Sequence, residues 1–596
     1  MAMSAPQQEY LRRLAARQVL LGHQERLHKY ISYARLAVVA IGLFAGWLSI
    51  YRHLFSAWWL FFFLLPFLAL IAWHDKVEDR RIAAARAVAM YTRGIARIED
   101  RWTGLGRSGE AFRDPRHVYA EDLDLFGSGS LFELLSTALT QMGEETLARW
   151  LLTPASIPET VRRQKEVAEL REKLDLREDL TILGETRRVG VFPAEFIQWA
   201  EAPVRLQFFV GRLVAVLFAI SAILALLLWA QKGVVVPLLV TLILEGCWMY
   251  QLRGRMQAIT EGVEQALKDV GLLAGILERI EREPFASERL RELSSRMTCA
   301  GRAPSDCLAR LNFLANLLEA RRNYIVRLLD VPLMYSLQLA FALDRWRQRY
   351  GKAARTWIEV VGEIEALLSL AVYAYEHPAD PFPQFSDSSA PLCDGRELGH
   401  PLIPASECVR NSVRLDSETR MLMVSGSNMS GKSTMLRTVG INVVMAMSGA
   451  PVRATHLQLS RLQLGTSIRV TDSLQAHVSH FYAEITRLRR ILDLTDGTTP
   501  VLFLLDEILH GTNSHDRKIG ALRTIETLLQ RGTIGLVTTH DLALTTFPDG
   551  IGPRIHNVHF QDYLEDGKIH FDYKLRDGVV KKSNALELMR SIGLEV

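Results

Sequence analysis

A chain of 596 residues is long enough for three or four domains, and its net charge of +4 gives no global footprint of a nucleic-acid binder. Its five cysteines are scattered, odd in number and without metal-ligand spacing, which excludes a disulfide framework and fits a reducing compartment. Locally, hydrophobicity is far from average, and this divides the chain.

Residues 1–35 read as a basic cytosolic arm carrying Arg12, Arg13, Arg17, Arg26, Lys29 and Arg35. Two apolar runs follow, 36–51 and 54–73, separated by Arg52 and His53. The second, at about twenty residues, matches a hydrocarbon core of roughly 30 Å; the first is slightly short, and Pro66 predicts a kink. Residues 36–73 therefore predict a first transmembrane hairpin. Lys76, Arg80, Arg81, Arg86, Arg93 and Arg97 beyond it put both of its ends in the cytoplasm. The polar, Arg-rich start and the lack of a small-residue cleavage site speak against a cleaved signal peptide.

Residues 74–120 predict a connecting helix, and residues 121–207 the first part of a helical core. Within that core, residues 131–152 form an amphipathic helical pair expected to break near Gly143. Residues 208–252 predict a second hairpin, with apolar runs 213–230 and 234–250 broken by Gln231, Lys232 and Gly233. Arg205 and Arg212 before it, with Arg253 and Arg255 after it, repeat the orientation of the first. Buried core helices are the competing account, but they run shorter and do not arrive in pairs joined by tight turns. The expectation is four transmembrane helices in two hairpins in a bacterial-type cytoplasmic membrane, with membrane lipid as a partner. Glu245 sits in the fourth span near its cytoplasmic end, where a structural role, snorkelling or pairing with Arg212, is favoured over an ion pathway. Residues 253–377, rich in Leu, Ala, Glu and Arg at helical spacing, predict the long helices of a lever, and residues 378–395 a linker rich in proline, serine and acids.

Residues 396–596 carry the chemistry. Gly426-Ser427-Asn428-Met429-Ser430-Gly431-Lys432-Ser433-Thr434 fits the phosphate-loop pattern, follows a strand-like run and opens an apolar helix. Its glycines let backbone N–H groups face phosphates, Lys432 reaches the terminal phosphates, and the Ser433 hydroxyl can ligate magnesium. An apolar run from Val501 ends in Asp506 and Glu507, as a buried parallel strand delivers acids to the carboxyl edge of a sheet. Asp506 would hold Mg2+ through water, and Glu507 would polarise the attacking water. A further strand from Gly532 ends at His540, where a sensor of the terminal phosphate would sit.

At these residues the chain resembles the ATPase domain of the MutS mismatch-repair family, within the ABC-type ATPases. The Asn428-Met429 pair, the stretch from Asp506 to Asp516 and Thr538-Thr539-His540-Asp541 carry the likeness, as do Gly399-His400-Pro401 before the domain and Lys582-Ser583 near the end. Upstream, Phe126 to Leu135, Met142-Gly143, Arg149-Trp150-Leu151, Pro154 and Arg162-Arg163-Gln164 are similar to the start of the family's helical core. The resemblance implies an α/β P-loop domain with an all-α lever, ATP and Mg2+ as cofactors, and a homodimer. In that dimer Ser479, in the segment from Asp472 to Glu484, reaches the nucleotide of the opposite subunit; His477 replaces a glycine usual there. Only the basic arm, one hairpin and one charged helix precede Phe126, so a mismatch-reading domain is not expected, nor is the family's C-terminal dimerisation tail. DNA, without mismatch specificity, is the partner the resemblance implies. The alternative is an ABC-like membrane machine acting on lipid or protein; few polar groups within the spans argue against a solute transporter.

Overall fold

The fold is that of a computed structural model, which describes residues 3–51, 56, 58, 61–184, 193–203, 208–260, 270–299, 301–321, 323–328, 330–388, 390–427, 429–469, 480–510, 513–547, 552–565 and 568–580. In chain order the helices before the first strand are α1 (Ala5–Ile50), α2 (Phe61–Ile98), α3 (Leu131–Leu135), α4 (Gln141–Leu152), α5 (Ile157–Arg171), α6 (Leu174–Gly184), α7 (Pro193–Glu201), α8 (Phe208–Lys232), α9 (Val236–Thr260), α10 (Val270–Glu281), α11 (Glu288–Met297), α12 (Pro304–Ala320), α13 (Tyr324–Leu328), α14 (Asp330–Leu333) and α15 (Tyr335–Glu376). Then come β1 (Gln384–Phe385), β2 (Cys393–Leu398), β3 (Asn411–Leu415), β4 (Met421–Ser425), α16 (Lys432–Ser448), β5 (His456–Leu459), β6 (Gln463–Ser467), α17 (His480–Leu494), β7 (Val501–Leu505), α18 (Ser514–Gln530), β8 (Ile534–Thr539), β9 (Ile555–Glu565) and β10 (Lys568–Asp577). They form two compact units, one of Met1–Thr92, Leu139–Gly143 and Lys173–Glu365, the other of Arg93–Ala138, Glu144–Glu172 and Ala366–Val596.

The first unit is helical. α1 starts at Ser4, whose hydroxyl accepts the Gln7 N–H, with Pro6 in the first turn. No proline follows within it, so the basic arm and the first apolar run form one continuous helix rather than two segments. Its polar half is pinned to α2 and α6: the Tyr10 and Tyr91 rings meet edge to face at 5.6 Å, and Arg17 Nε lies 2.6 Å from the buried Glu178, which also accepts the Tyr91 hydroxyl. A tryptophan cluster forms a second anchor, with Trp346 of α15 stacked on Trp199 of α7 and edge-on to Trp357. Gly351 permits this approach, because a Cβ there would come within 2.1 Å of the Ala200 carbonyl.

Among the described residues, two helices are long and apolar enough to cross a membrane, α1 and the Gly211–Lys232 part of α8, which has a mean hydropathy of 2.8. The expected four spans are thus reduced to two by this measure. Residues 54–73 fall partly outside the described residues, and α9 is diluted by Glu245, Gln251 and Arg253. α8 and α9 nevertheless form a hairpin: Gly233 ends α8 in the left-handed region at φ +71°, and the rings of Phe218 and Trp248 meet at 5.7 Å. Leu213, Leu217 and Leu224 of α8, with Leu239, Ile243 and Leu244 of α9, are exposed. Glu245 does not snorkel; it is buried, and neither carboxylate oxygen has a hydrogen-bond partner among the described residues.

The helical pair of residues 131–152 breaks earlier than expected. Ser136 is extended, and the Thr140 hydroxyl accepts the Gly143 N–H, so α4 starts ahead of Gly143 and carries it in its first turn.

The second unit holds two sheets. The larger runs β10-β9-β4-β8-β7-β6, parallel except for β10, so four strands end together at Ser425, Ser467, Leu505 and Thr539. β4, β7 and β8 are buried throughout, as their continuous apolar runs require. α16 packs on one face, where Gly440 leaves room for Leu123 and Leu504; Ile525 and Leu528 of α18 join Phe503 and Val537 in a core cluster. The smaller sheet runs β1-β5-β2-β3. Part of the expected linker is built into it: β1 pairs in parallel with β5, Asp380 accepts the Tyr373 hydroxyl, and Pro383 accepts the Gln164 amide.

Candidate active site

The carboxyl edge of the larger sheet opens onto a cavity of about 770 Å3. The phosphate loop leaves β4 at Gly426, where φ is +155° and a Cβ would come within 2.8 Å of Ser430 Oγ. It passes Met429 at φ +71° and enters α16 from Gly431 at φ +99°, so three successive departures from ordinary backbone curl the chain around its own N–H groups. Lys432 is buried and its Nζ donates to the carbonyls of Gly426, 2.9 Å away, and Ser427, 2.8 Å away. Desolvation pulls its pKa below the usual lysine value, opposed by Glu507 and Asp506. The buried hydroxyls of Ser427 and Ser430 have no hydrogen-bond partner among the described residues, as expected of donors meant for a ligand. Met429, Gly431, Lys432, Ser433 and Thr434 line the cavity. Asn428 and Ser479 lie outside the described residues, as do His477, Lys582 and Ser583.

The acids arrive from β7. Thr538 on the neighbouring strand joins them: its hydroxyl donates to Asp506, and it accepts the Glu507 N–H at 3.0 Å. Glu507 takes φ +46° and turns its carboxylate into the cavity, with Oε1 3.1 Å from His540 Nδ1 and 3.8 Å from Lys432 Nζ. His540 therefore sits on the Glu507 carboxylate. A magnesium ion is an oxygen-seeking, hard cation, and Ser433 and Asp506 place a hydroxyl and a carboxylate on the wall of one cavity, a donor set that fits it.

Several residues carried no role in the sequence. Glu484 of α17, buried, accepts the Leu509 N–H and so ties α17 to the turn behind Glu507; Leu509 itself has φ +57°. Arg487 donates to the His117 carbonyl and faces Asp122 at 3.7 Å. Asp122 is fully buried and accepts the Thr466 hydroxyl (2.6 Å), the Ile468 N–H (3.1 Å) and the Arg469 N–H (2.9 Å), fixing the chain just before residues 470–479. Asp124 next to it pairs with Arg437 of α16 and with Arg469. Leu398, Ile403, Val409, Phe560 and Tyr573 add an apolar lining of the kind a nucleotide base needs, with Phe560 packed beside Gly426 and Tyr573 beside Gly431 of the phosphate loop. His400 lines it too, and burial holds its imidazole down at about 4, hence neutral. A proximity signal for these residues exists in the sequence only for His400, through its place before the domain.

With this geometry in view, the family described as MutS domain V matches residues 422–595. An endonuclease MutS2 of Thermus thermophilus is 35% identical over 203 residues, covering 33% of this chain and 25% of that protein. A DNA mismatch repair protein MutS of Geobacillus kaustophilus is 29% identical over 288 residues, covering 47% of this chain and 32% of its own. A DNA mismatch repair protein MutS of an Exiguobacterium species is 31% identical over 261 residues, covering 42% and 30%. The chain thus spans a quarter to a third of the length of these relatives. Residues 422–595 are thus similar to domain V of the MutS family.

Proposed function

We propose that this protein is a membrane-held ATPase of MutS type, binding and hydrolysing ATP at a composite site shared by two copies. The observation that carries the reading is the convergence of Lys432, Asp506 and Glu507 on one cavity at the carboxyl edge of a parallel sheet, with His540 3.1 Å from Glu507. Lys432 would exchange the carbonyls of Gly426 and Ser427 for terminal phosphate oxygens, and the loop N–H groups with the hydroxyls of Ser427 and Ser430 would complete the cradle. Magnesium, held by Ser433 and Asp506, would supply charge neutralisation between the phosphates. Glu507 orients the attacking water and accepts its proton, while His540 holds the Glu507 carboxylate and reads the terminal phosphate. Ser479 of a second copy closes the site.

The long, exposed apolar stretches of α1 and of the α8–α9 hairpin support anchoring in a bilayer, in two hairpins with the ATPase domain on the cytosolic side. Motion would pass to the helical unit through α15, which runs from that unit into the ATPase unit. The names of the mismatch-repair relatives support DNA as a partner; binding to branched, mismatched and plain duplexes across salt checks it and its specificity, because phosphate contacts make affinity fall steeply with salt.

Replacing Glu507 by Gln in the full-length protein is expected to keep ATP binding and to slow steady-state hydrolysis by on the order of a hundredfold or more. Unchanged turnover in the purified variant removes Glu507, and with it this mechanism.

A further inference from the structure

We propose that Glu507, His510 and His540 form a binding site for a zinc-class divalent ion, distinct from the magnesium position, that takes Glu507 out of the hydrolytic reaction. The proposal rests on Glu507 being the residue that orients water. The three side chains offer one carboxylate and two imidazole nitrogens, and their donor atoms all lie within 4.8 Å of one another. The carboxylate already faces both rings: Oε1 is 3.1 Å from His540 Nδ1, and Oε2 is 3.9 Å from His510 Nε2. The two imidazoles stand 5.3 Å apart between centroids.

Two imidazoles and a carboxylate are a ligand set that zinc, cobalt and nickel take and that magnesium does not. With bonds of about 2.0–2.2 Å in a tetrahedral site, donors stand roughly 3.3 Å apart. The Glu507–His540 edge has that length now. The others, at most 4.8 Å long, need to contract by up to about 1.5 Å, which a rotation of His510, whose side chain is 53% exposed, would supply.

The backbone holds the ligands on both sides of the turn: Glu507 N–H to Thr538, Leu509 N–H to Glu484, and the His510 carbonyl to Arg517 at 3.0 Å. Lys432 Nζ is the opposing charge, 3.8 Å from Glu507, and is itself drawn back by two loop carbonyls. A fourth coordination position remains for water or a phosphate oxygen. With one oxygen bonded to the ion and its charge drawn towards the metal, Glu507 is a much weaker acceptor for the proton of the attacking water, so the ion acts as a brake on turnover.

The test uses full-length protein purified without a histidine tag and stripped with chelator. Cobalt(II) titration should give visible d–d bands saturating at one ion per chain, displaced by zinc and not by excess magnesium. His510→Gln and His540→Gln should each weaken cobalt binding about tenfold or more. At fixed Mg-ATP, zinc should inhibit the unaltered protein. His510→Gln, compared with its own zinc-free rate, should need about tenfold more zinc for the same fractional inhibition. Absence of cobalt bands, or binding undiminished in both variants, overturns the site; binding without inhibition overturns the brake. Absence of magnesium-dependent hydrolysis would instead strike the ATPase reading, while the cobalt spectrum still decides the metal site.

Discussion

Thr538 and His400 show what single residues contribute that their types do not announce. A threonine inside a buried strand is ordinary, yet Thr538 joins Asp506 and Glu507 by one hydroxyl and so sets the directions of both acids. His400 is a titratable group kept neutral by burial, with Nδ1 accepting the Leu402 N–H. Its folded pKa, about 4, lies below the ordinary 6.5, so the unfolded chain takes up the proton first. The stabilisation from neutral His400 is complete above about 6.5 and is lost as pH falls towards about 4, at a rate near 1.4 kcal/mol per pH unit and on the order of 3 kcal/mol in all. His117 is shifted in the same direction by burial and adds to the slope. His400→Asn preserves an acceptor for Leu402 and removes the titration. Between pH 7 and pH 5 the unaltered protein should lose about 2 kcal/mol more than the variant, read as a larger drop in Tm. Equal drops would show that His400 does not contribute.

At the scale of elements, periodicity and punctuation carry most of the information. Continuous apolar runs reveal β4, β7 and β8 because strands buried on both faces cannot alternate. The start of α4 is not legible at Gly143, because Thr140 three residues earlier captures the helix N-terminus and a glycine inside a first turn costs little. Residues 378–395 look like a linker by composition, and β1 is too short for any pattern to betray it; its pairing with β5 is a tertiary event. The topology proposed from the flanking arginines puts the α8–α9 turn at Gly233 outside the cytoplasmic membrane. A single cysteine introduced at Gly233, in a background with Cys247 replaced, should react with an impermeant maleimide from outside intact cells, while one at Arg93 should not. Labelling at Arg93 alone would invert the orientation, and equal labelling at both would remove the hairpin.

For the whole molecule, the proposed composite site requires a second copy to supply Ser479. Asp122 holds the N–H groups of Ile468 and Arg469, and Glu484 that of Leu509, so the described chain is fixed on either side of residues 470–479, which carry Ser479. Lys432→Ala and Ser479→Arg chains, each inactive alone, should recover part of the ATPase rate when co-assembled, since some mixed dimers keep one intact composite site. Demonstrated mixed dimers without recovery would count against independently working trans sites. Confinement in a bilayer would favour the pairing by raising effective concentration.

The sequence by itself determined the phosphate loop, the two acids at the end of a buried strand and the exposed apolar stretches, because each is local: a glycine pattern, an apolar run, a continuous hydrophobic helix. The tertiary structure alone decided what those residues face. Glu507 meets His540 and Lys432 only because β4, β7 and β8 lie side by side, with 75 and 33 residues of chain separating the acid from the lysine and from the histidine. Asp122, 344 residues from Thr466, anchors the far end of the same sheet through hydrogen bonds that no spacing in the chain encodes. Contacts between residues so far apart are set by strand order and packing, and only the folded chain brings them within bonding distance.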